Sequence, residues 1–242
     1  MLEICHLEKR FRMDIKHIFF DLDRTLWDFE SNAKETLEEI FQFFSLRKLG
    51  VSSLDRFITT YRFQNEKLWS LYRDGDIEKE FLRDMRFKFT LEKFGVNNSS
   101  LSKEIGLYYI NNCPLKTRLF SNCLETLEYL HSKYELNIIT NGFEEVQHVK
   151  LKESKLDTFF KNVITSEKAG VKKPDQRIFQ FALDKSHALK EESIMIGDDL
   201  FADILGAKNF GMQQVYFNPE KNEHDEVITY EITSLNQLVK IF

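Results

Sequence analysis

Short apolar runs that end in a polar residue recur along this chain: Ile15 to Asp21 (IKHIFFD), Leu136 to Thr140, Val163 to Thr165, Ser193 to Gly197 and Gln214 to Phe217. Runs of this kind mark strands buried on both faces, which deliver a polar side chain at the carboxyl end. Between them the apolar positions take helical spacing, over Cys123 to Tyr134, Glu144 to Ser154, Gln176 to His187 and Leu200 to Phe210, with a last helix near Leu235 to Ile241. Strand and helix in alternation predict an α/β core, a Rossmann-like, mostly parallel sheet with helices on both faces.

One interval breaks the alternation. From about Phe29 to Lys116 only helical periodicity is visible, in Ala33 to Phe44, Leu54 to Tyr72, Glu78 to Phe94 and Leu101 to Asn111. Turn residues separate these segments at Lys48-Leu49-Gly50, Asp74-Gly75-Asp76 and Gly95-Val96-Asn97-Asn98. The pattern therefore predicts a core made of residues 1–28 and 117–242 with an inserted helical subdomain over 29–116.

Composition narrows the functional classes. At 242 residues, 42% apolar and 30% charged, the chain has the makeup of a soluble globular protein, and no apolar run approaches the roughly 18 residues that a bilayer crossing needs. A formal charge of -5 with both signs interspersed gives no basic surface for a nucleic acid polymer. Three cysteines, Cys5, Cys113 and Cys123, form neither a disulfide set nor a metal quartet and point to a reducing compartment. The amino terminus lacks the pattern of a secretory signal, so the expected location is cytoplasmic. Residues 1–12 show no apolar periodicity and precede Met13, which abuts the first strand and is a second candidate start. The 23 phenylalanines are scattered through helical segments, as core fillers are.

Four groups of residues carry candidate chemistry, each at or just beyond a predicted strand end, where open parallel sheets bind ligands. The first strand ends in Asp21-Leu22-Asp23-Arg24-Thr25. The fourth ends in Gly197-Asp198-Asp199, with Asp203 one helical turn on. Carboxylates that converge there raise one another's pKa unless a cation compensates, and hard oxygen ligands favour Mg²⁺. Asp199 serves equally well as a helix cap. Thr140-Asn141-Gly142 offers a hydroxyl and backbone amides for an anion, and Lys173 stands just before Pro174 and a helix.

In this order the four groups resemble the motifs of the haloacid dehalogenase superfamily of aspartyl phosphatases: Asp21, Asp23 and Thr25, then Thr140, then Lys173, then Gly197-Asp198 with Asp203. The likeness covers residues 14 to about 220, and the helical insert resembles that superfamily's cap. Strings such as Thr25-Leu26-Trp27-Asp28-Phe29, Leu68-Trp69, Arg73-Asp74-Gly75, Arg86-Phe87 and Thr140-Asn141-Gly142-Phe143 are most similar to the noncanonical pyrimidine 5'-nucleotidases.

The resemblance implies a hydrolase in which Asp21 is the nucleophile and Asp23 the general acid and base. Mg²⁺ would be held by Asp21, the Asp23 carbonyl and Asp198, with Asp203 behind them. Thr140, the Asn141 amide and Lys173 would hold the phosphoryl oxygens. The implied substrate is a small phosphate monoester, a pyrimidine nucleoside 5'-monophosphate above others. A phosphatase or mutase for a sugar phosphate or phosphoglycolate is the alternative. A 2-haloacid dehalogenase needs neither Asp23 nor magnesium, and a receiver-like signalling domain places its acidic pair before the phosphoaccepting Asp, the reverse of the order here. Selectivity would come from the cap, where Trp69, Tyr72 and Arg73 fall on one side of a helix and could receive a base, with Trp27 and Phe29 as an opposite wall.

Overall fold

The computed structural model describes residues 14–242; Cys5 and the alternative start at Met13 lie outside the described residues. Six strands form one sheet: β1 (His17–Phe20), β2 (Glu135–Thr140), β3 (Phe160–Thr165), β4 (Ser193–Gly197), β5 (Gln213–Phe217) and β6 (Tyr230–Ile232). Their order is β3-β2-β1-β4-β5-β6 and every pairing is parallel. The central strand β1 pairs Phe20 with Ile138 of β2 on one side and with Ile196 of β4 on the other. The strand order reverses across β1, which makes the carboxyl ends of β1, β2 and β4 the topological switch point at which such sheets bind ligands.

Burial explains why β1 carries no polar alternation. Ile18, Phe19 and Phe20 are all fully buried because helices cover both faces. Phe19, Ile139, Ile164 and Met195 of the strands pack with Ile178, Phe179, Ala182 and Leu183 of one helix. Burying each such side chain contributes about 1.5–3 kcal/mol.

The chain divides into two compact units. The sheet unit gathers the described residues up to Trp27, Leu119–Glu144 and Lys155–Phe242. The helical unit is Asp28–Arg118 together with Glu145–Ser154. Four long helices make up most of it: α1 (Phe29–Phe43), α2 (Leu54–Asp74), α3 (Lys79–Glu92) and α4 (Ser99–Asn112). Asp28 caps α1 by accepting from the Ser31 N–H at 3.0 Å, and Ser53 caps α2 from the Arg56 N–H at 3.2 Å. Gly75, at φ +82°, ends α2 in the left-handed region that other residues seldom adopt.

The helical unit also holds a segment that the pattern reading left with the core. Helix α5 (Cys123–His131) precedes β2, and α6 (Glu144–Glu153) follows it. Gln147, Lys150, Leu151 and Ser154 are buried at the three- and four-residue spacing of a single helical stripe, and residues 145–154 cluster with α1 to α4. Glu145 is bonded by Lys79 at 2.9 Å and also by Arg83, both on α3. Its predecessor Glu144 belongs to the sheet unit, where its carboxylate pairs with Lys168 at 3.1 Å. Among the described residues no helix is long and apolar enough to cross a membrane.

Candidate active site

The site lies within the sheet unit. Asp21 follows β1 directly, and its N–H donates to the Ile196 carbonyl of β4 at 2.9 Å, which prolongs the strand pairing by one residue. The chain then turns sharply. Arg24 has φ +64°, an uncommon and costly conformation for a side chain of its size, and its N–H donates to the Trp27 carbonyl at 2.9 Å. This turn sends Thr25 back under the strand ends, where it is fully buried and its hydroxyl donates to Asp198 Oδ1 at 2.8 Å. The first and fourth motifs are thus tied through Thr25.

Lys173 is 2% exposed and is the hub of the site. Its ammonium donates to Asp21 Oδ1 at 2.6 Å and to the Ile139 carbonyl at 2.7 Å, and it pairs with Asp203 Oδ1 at 2.6 Å. Its backbone is fixed as well. The Lys173 N–H donates to Asn141 Oδ1 at 2.9 Å, and the Asn141 side-chain amide donates back to the Lys173 carbonyl at 3.0 Å. Asn141 is therefore the residue that clamps the lysine loop onto the end of β2. Thr140, nearly fully buried, accepts from the Gly142 N–H at 3.0 Å and closes the turn that follows β2.

Beyond β4, Asp199 accepts from the N–H groups of Phe201 and Ala202 at 3.0 and 2.9 Å, the cap role that the sequence left open. The helical pattern expected over Leu200 to Phe210 divides into a π-helical turn at Leu200–Leu205 and an α-helix at Gly206–Phe210. The wide turn presents Asp203, whose Oδ2 accepts from the Asp199 N–H at 3.1 Å.

Carboxylate oxygens of Asp21, Asp198 and Asp203 come within 4.8 Å of one another. Burial is the largest influence on all three and pushes each pKa up. For Asp21 the rise persists although Lys173 opposes it, and the charges of Asp203 and Asp198 add to it. Asp198 is pushed up to about 7, by burial and then by Asp203, against the pull of the Thr25 hydroxyl and Arg24. Burial alone would lower the Lys173 ammonium, yet Asp203 and Asp21 outweigh it and hold the lysine charged. Three carboxylates facing one ammonium leave a surplus of buried negative charge, and the donors are all oxygen. Such a set fits a hard divalent cation such as Mg²⁺. Asp23 is half-buried and is not among the clustered carboxylates.

These residues and their order match a known family. The profile of the haloacid dehalogenase-like hydrolases covers residues 18–217. The chain belongs to that family. It is 30% identical over 227 residues to the pyrimidine 5'-nucleotidase YjjG of Escherichia coli strain K12, spanning 93% of this chain and 96% of the relative. It is 33% identical to a glyceraldehyde 3-phosphate phosphatase of Pyrococcus furiosus, over 94% of this chain and 92% of that one. Among solved structures, the HAD-hydrolase YfnB of Bacillus subtilis bound to magnesium aligns with a TM-score of 0.84 at 25% identity, covering 94% of this chain and 98% of YfnB. The present chain is thus a haloacid dehalogenase-like hydrolase.

The residues expected to set specificity in this hydrolase fare differently. Trp69 and Tyr72 meet edge to face on α2, with ring centroids 5.6 Å apart, and Trp69 keeps partial exposure while Tyr72 is buried. Arg73 is half-buried on the same helix. Phe29 opens α1, and its ring lies 5.9 Å from the Lys150 ammonium. Trp27 is fully buried, bridging to Asp23 and Leu119, so its indole presents no open face. Sequence reasoning gave Thr25 no partner and missed the Ile139 carbonyl altogether. A backbone acceptor has no sequence signal, although the threonine that closes the first acidic motif could have been matched to an acid of the fourth.

Proposed function

We propose that this hydrolase is a Mg²⁺-dependent phosphate monoesterase that works through an aspartyl-phosphate, with pyrimidine nucleoside 5'-monophosphates as its substrates. The observation that carries the reading is the buried group of Asp21, Asp198 and Asp203 around Lys173, an oxygen-rich, negatively surplus site that displacement of a halide would not require.

Asp21, Asp198 and the Asp23 carbonyl would hold the ion, with Asp203 holding Lys173. The bound ion would offset negative charge and polarise the phosphoryl group. An Asp21 carboxylate oxygen attacks phosphorus and the bond to the leaving oxygen breaks, giving the aspartyl-phosphate and an alcohol that takes its proton from Asp23. Asp23 then removes a proton from water, whose oxygen attacks the same phosphorus, freeing inorganic phosphate and restoring Asp21. Thr140, the Asn141 amide and Lys173 bind the phosphoryl oxygens and offset charge that grows in the transition state. The ion pairs with Asp21 and Asp203 keep Lys173 charged and aimed before substrate arrives.

The pyrimidine assignment is supported by the near full-length similarity to a pyrimidine 5'-nucleotidase and by the partly exposed Trp69, held edge to face by the buried Tyr72, on whose ring a base can stack for about 1–3 kcal/mol. The similarity to a glyceraldehyde 3-phosphate phosphatase supports a sugar phosphate as the second reading. The deciding experiment is release of inorganic phosphate or halide from a panel of UMP, dTMP, CMP, glyceraldehyde 3-phosphate, phosphoglycolate and 2-chloropropionate, with Mg²⁺ and with EDTA. A kcat/KM for pyrimidine monophosphates at least about tenfold above the sugar phosphates, lost in EDTA, is expected. Preference for a sugar phosphate replaces the nucleotidase reading, and halide release without metal overturns the phosphatase.

A further inference from the structure

The interior of the helical unit contains a charge without a counter-charge. Arg86, on α3, is 5% exposed. No carboxylate pairs with it among the described residues, its polar neighbour is the Tyr61 hydroxyl, and its Nε is enclosed without a partner. Its guanidinium carbon lies 4.6 Å from the centroid of the Tyr109 ring of α4 and 5.7 Å from that of Phe87. Tyr61 of α2 closes the group, 4.8 Å from the Phe87 ring and 5.5 Å from the Tyr109 ring. Both tyrosine hydroxyls are buried; they face each other, Tyr109 also faces the Cys113 thiol, and neither completes a well-aligned hydrogen bond. Three helices therefore place a guanidinium and two phenols side by side, with hydrogen-bonding capacity to spare.

Other groups do not supply the missing charge. Among the described residues the buried carboxylates are Asp21, Asp198 and Asp203, all in the sheet unit. The Cys113 thiol interacts with Arg86 but is no counter-charge, because burial pushes it toward its neutral form against the pull of Tyr109, Lys150, Thr36 and Arg86. Lys150, itself 5% exposed, adds a second cation to the same interior. Cation–π contact with Tyr109 offsets part of the cost of burying Arg86, about 2 kcal/mol when desolvated, whereas the penalty for an enclosed ion amounts to several kcal/mol. An ordered water would satisfy the hydrogen bonds and leave the charge. An anion satisfies both, because a guanidinium and phenol hydroxyls are all donors toward it.

We propose that Arg86, with Tyr61 and Tyr109, forms an anion-binding site inside the helical unit, taking a small monovalent anion, either an inorganic halide or a carboxylate. The site is independent of the hydrolytic centre, so it stands or falls apart from the phosphatase reading.

The test is thermal unfolding of the purified protein in EDTA at constant ionic strength, replacing gluconate, which is too bulky to enter, by bromide in one series and by acetate in another. Fixed ionic strength removes general screening. A saturable rise in midpoint of about 5 °C or more at a hundredfold excess over the dissociation constant is expected. Bromide alone acting identifies an inorganic ligand, and acetate acting as well identifies a carboxylate. Anomalous diffraction from a bromide-soaked crystal should place an ion within hydrogen-bonding distance of Arg86. Arg86→Met keeps the length of the side chain, removes the charge and should abolish the dependence; Tyr61→Phe, a milder change, should weaken it severalfold if the first variant fails to fold. A midpoint in wild type that is flat in both series, bromide found only elsewhere, or an undiminished response in Arg86→Met or Tyr61→Phe overturns the proposal.

Discussion

Gly197 and Asp203 approach so closely that a Cβ at residue 197 would come within 2.2 Å of Asp203 Oδ2. No side chain tolerates that distance, and Asp203 cannot retreat without leaving Lys173 and the Asp199 N–H. Gly197→Ala should therefore displace Asp203 and break a buried ion pair, lowering stability by about 3 kcal/mol or more and turnover by at least about a hundredfold. Thermal unfolding and steady-state kinetics check this. An alanine variant with wild-type values would show that Asp203 has room the structure does not grant it.

Asp21→Asn should remove turnover, since an amide cannot attack phosphorus. Stability in EDTA should hold or rise, because a neutral side chain relieves the crowding of three buried carboxylates that Lys173 only partly offsets. Midpoints measured with and without Mg²⁺ should show wild type gaining more from the ion than the variant does. Equal gains would mean that Asp21 does not help to hold it.

Glu145 gives a pH signature. Burial would raise its pKa, but the bonds from Lys79 and Arg83 outweigh burial and hold the carboxyl down at about 2. A carboxyl lowered in the folded state stabilises it above the ordinary glutamate pKa of about 4.3, and that contribution fades as pH falls toward 2. The difference in midpoint between wild type and Glu145→Gln should thus be constant above about pH 4.5 and shrink below it. Because the Glu145 side chain is 52% exposed, the difference should be small and should diminish in high salt. A pH-independent difference would assign the effect to packing.

Cys113 and Cys123 should resist alkylation in the native protein. Both are buried, and Cys123 is pushed up to about 12 by burial and then by Glu125, so little thiolate exists at neutral pH. Mass spectrometry after brief iodoacetamide treatment should find both unmodified until denaturant is added. Fast labelling of either in native buffer would reveal local opening of its helix.

The strand ends were the most legible part of the sequence. Asp21, Thr140 and Asp198 each end an apolar run, and the parallel sheet brings those ends together whatever the intervening chain does. The tie from Thr25 to Asp198 was not legible, since it depends on a left-handed turn at Arg24 that no residue type announces. Nor was β6, three residues with Tyr230 and Glu231 exposed and therefore no apolar signature. The π-helical turn at Leu200–Leu205 kept the same apolar spacing as an ordinary helix, so periodicity could not separate them. The burial of Arg86, Gln147 and Lys150 was not legible either, because polar residues on a helix ordinarily mark its solvent face, and here they are interior.

Because residues 145–154 cluster with the helical unit, the chain crosses between the two units at four places and not at two. The helical unit is consequently not a cassette. A chimera that exchanges residues 28–118 for those of a relative would leave α6 behind, with Gln147, Lys150 and Leu151 facing a stranger's helices and Glu145 deprived of Lys79 and Arg83. Recombination of insert and core, in the laboratory or over evolutionary time, must carry this second, ten-residue splint along with the insert, and it begins three residues after the Thr140-Asn141-Gly142 turn.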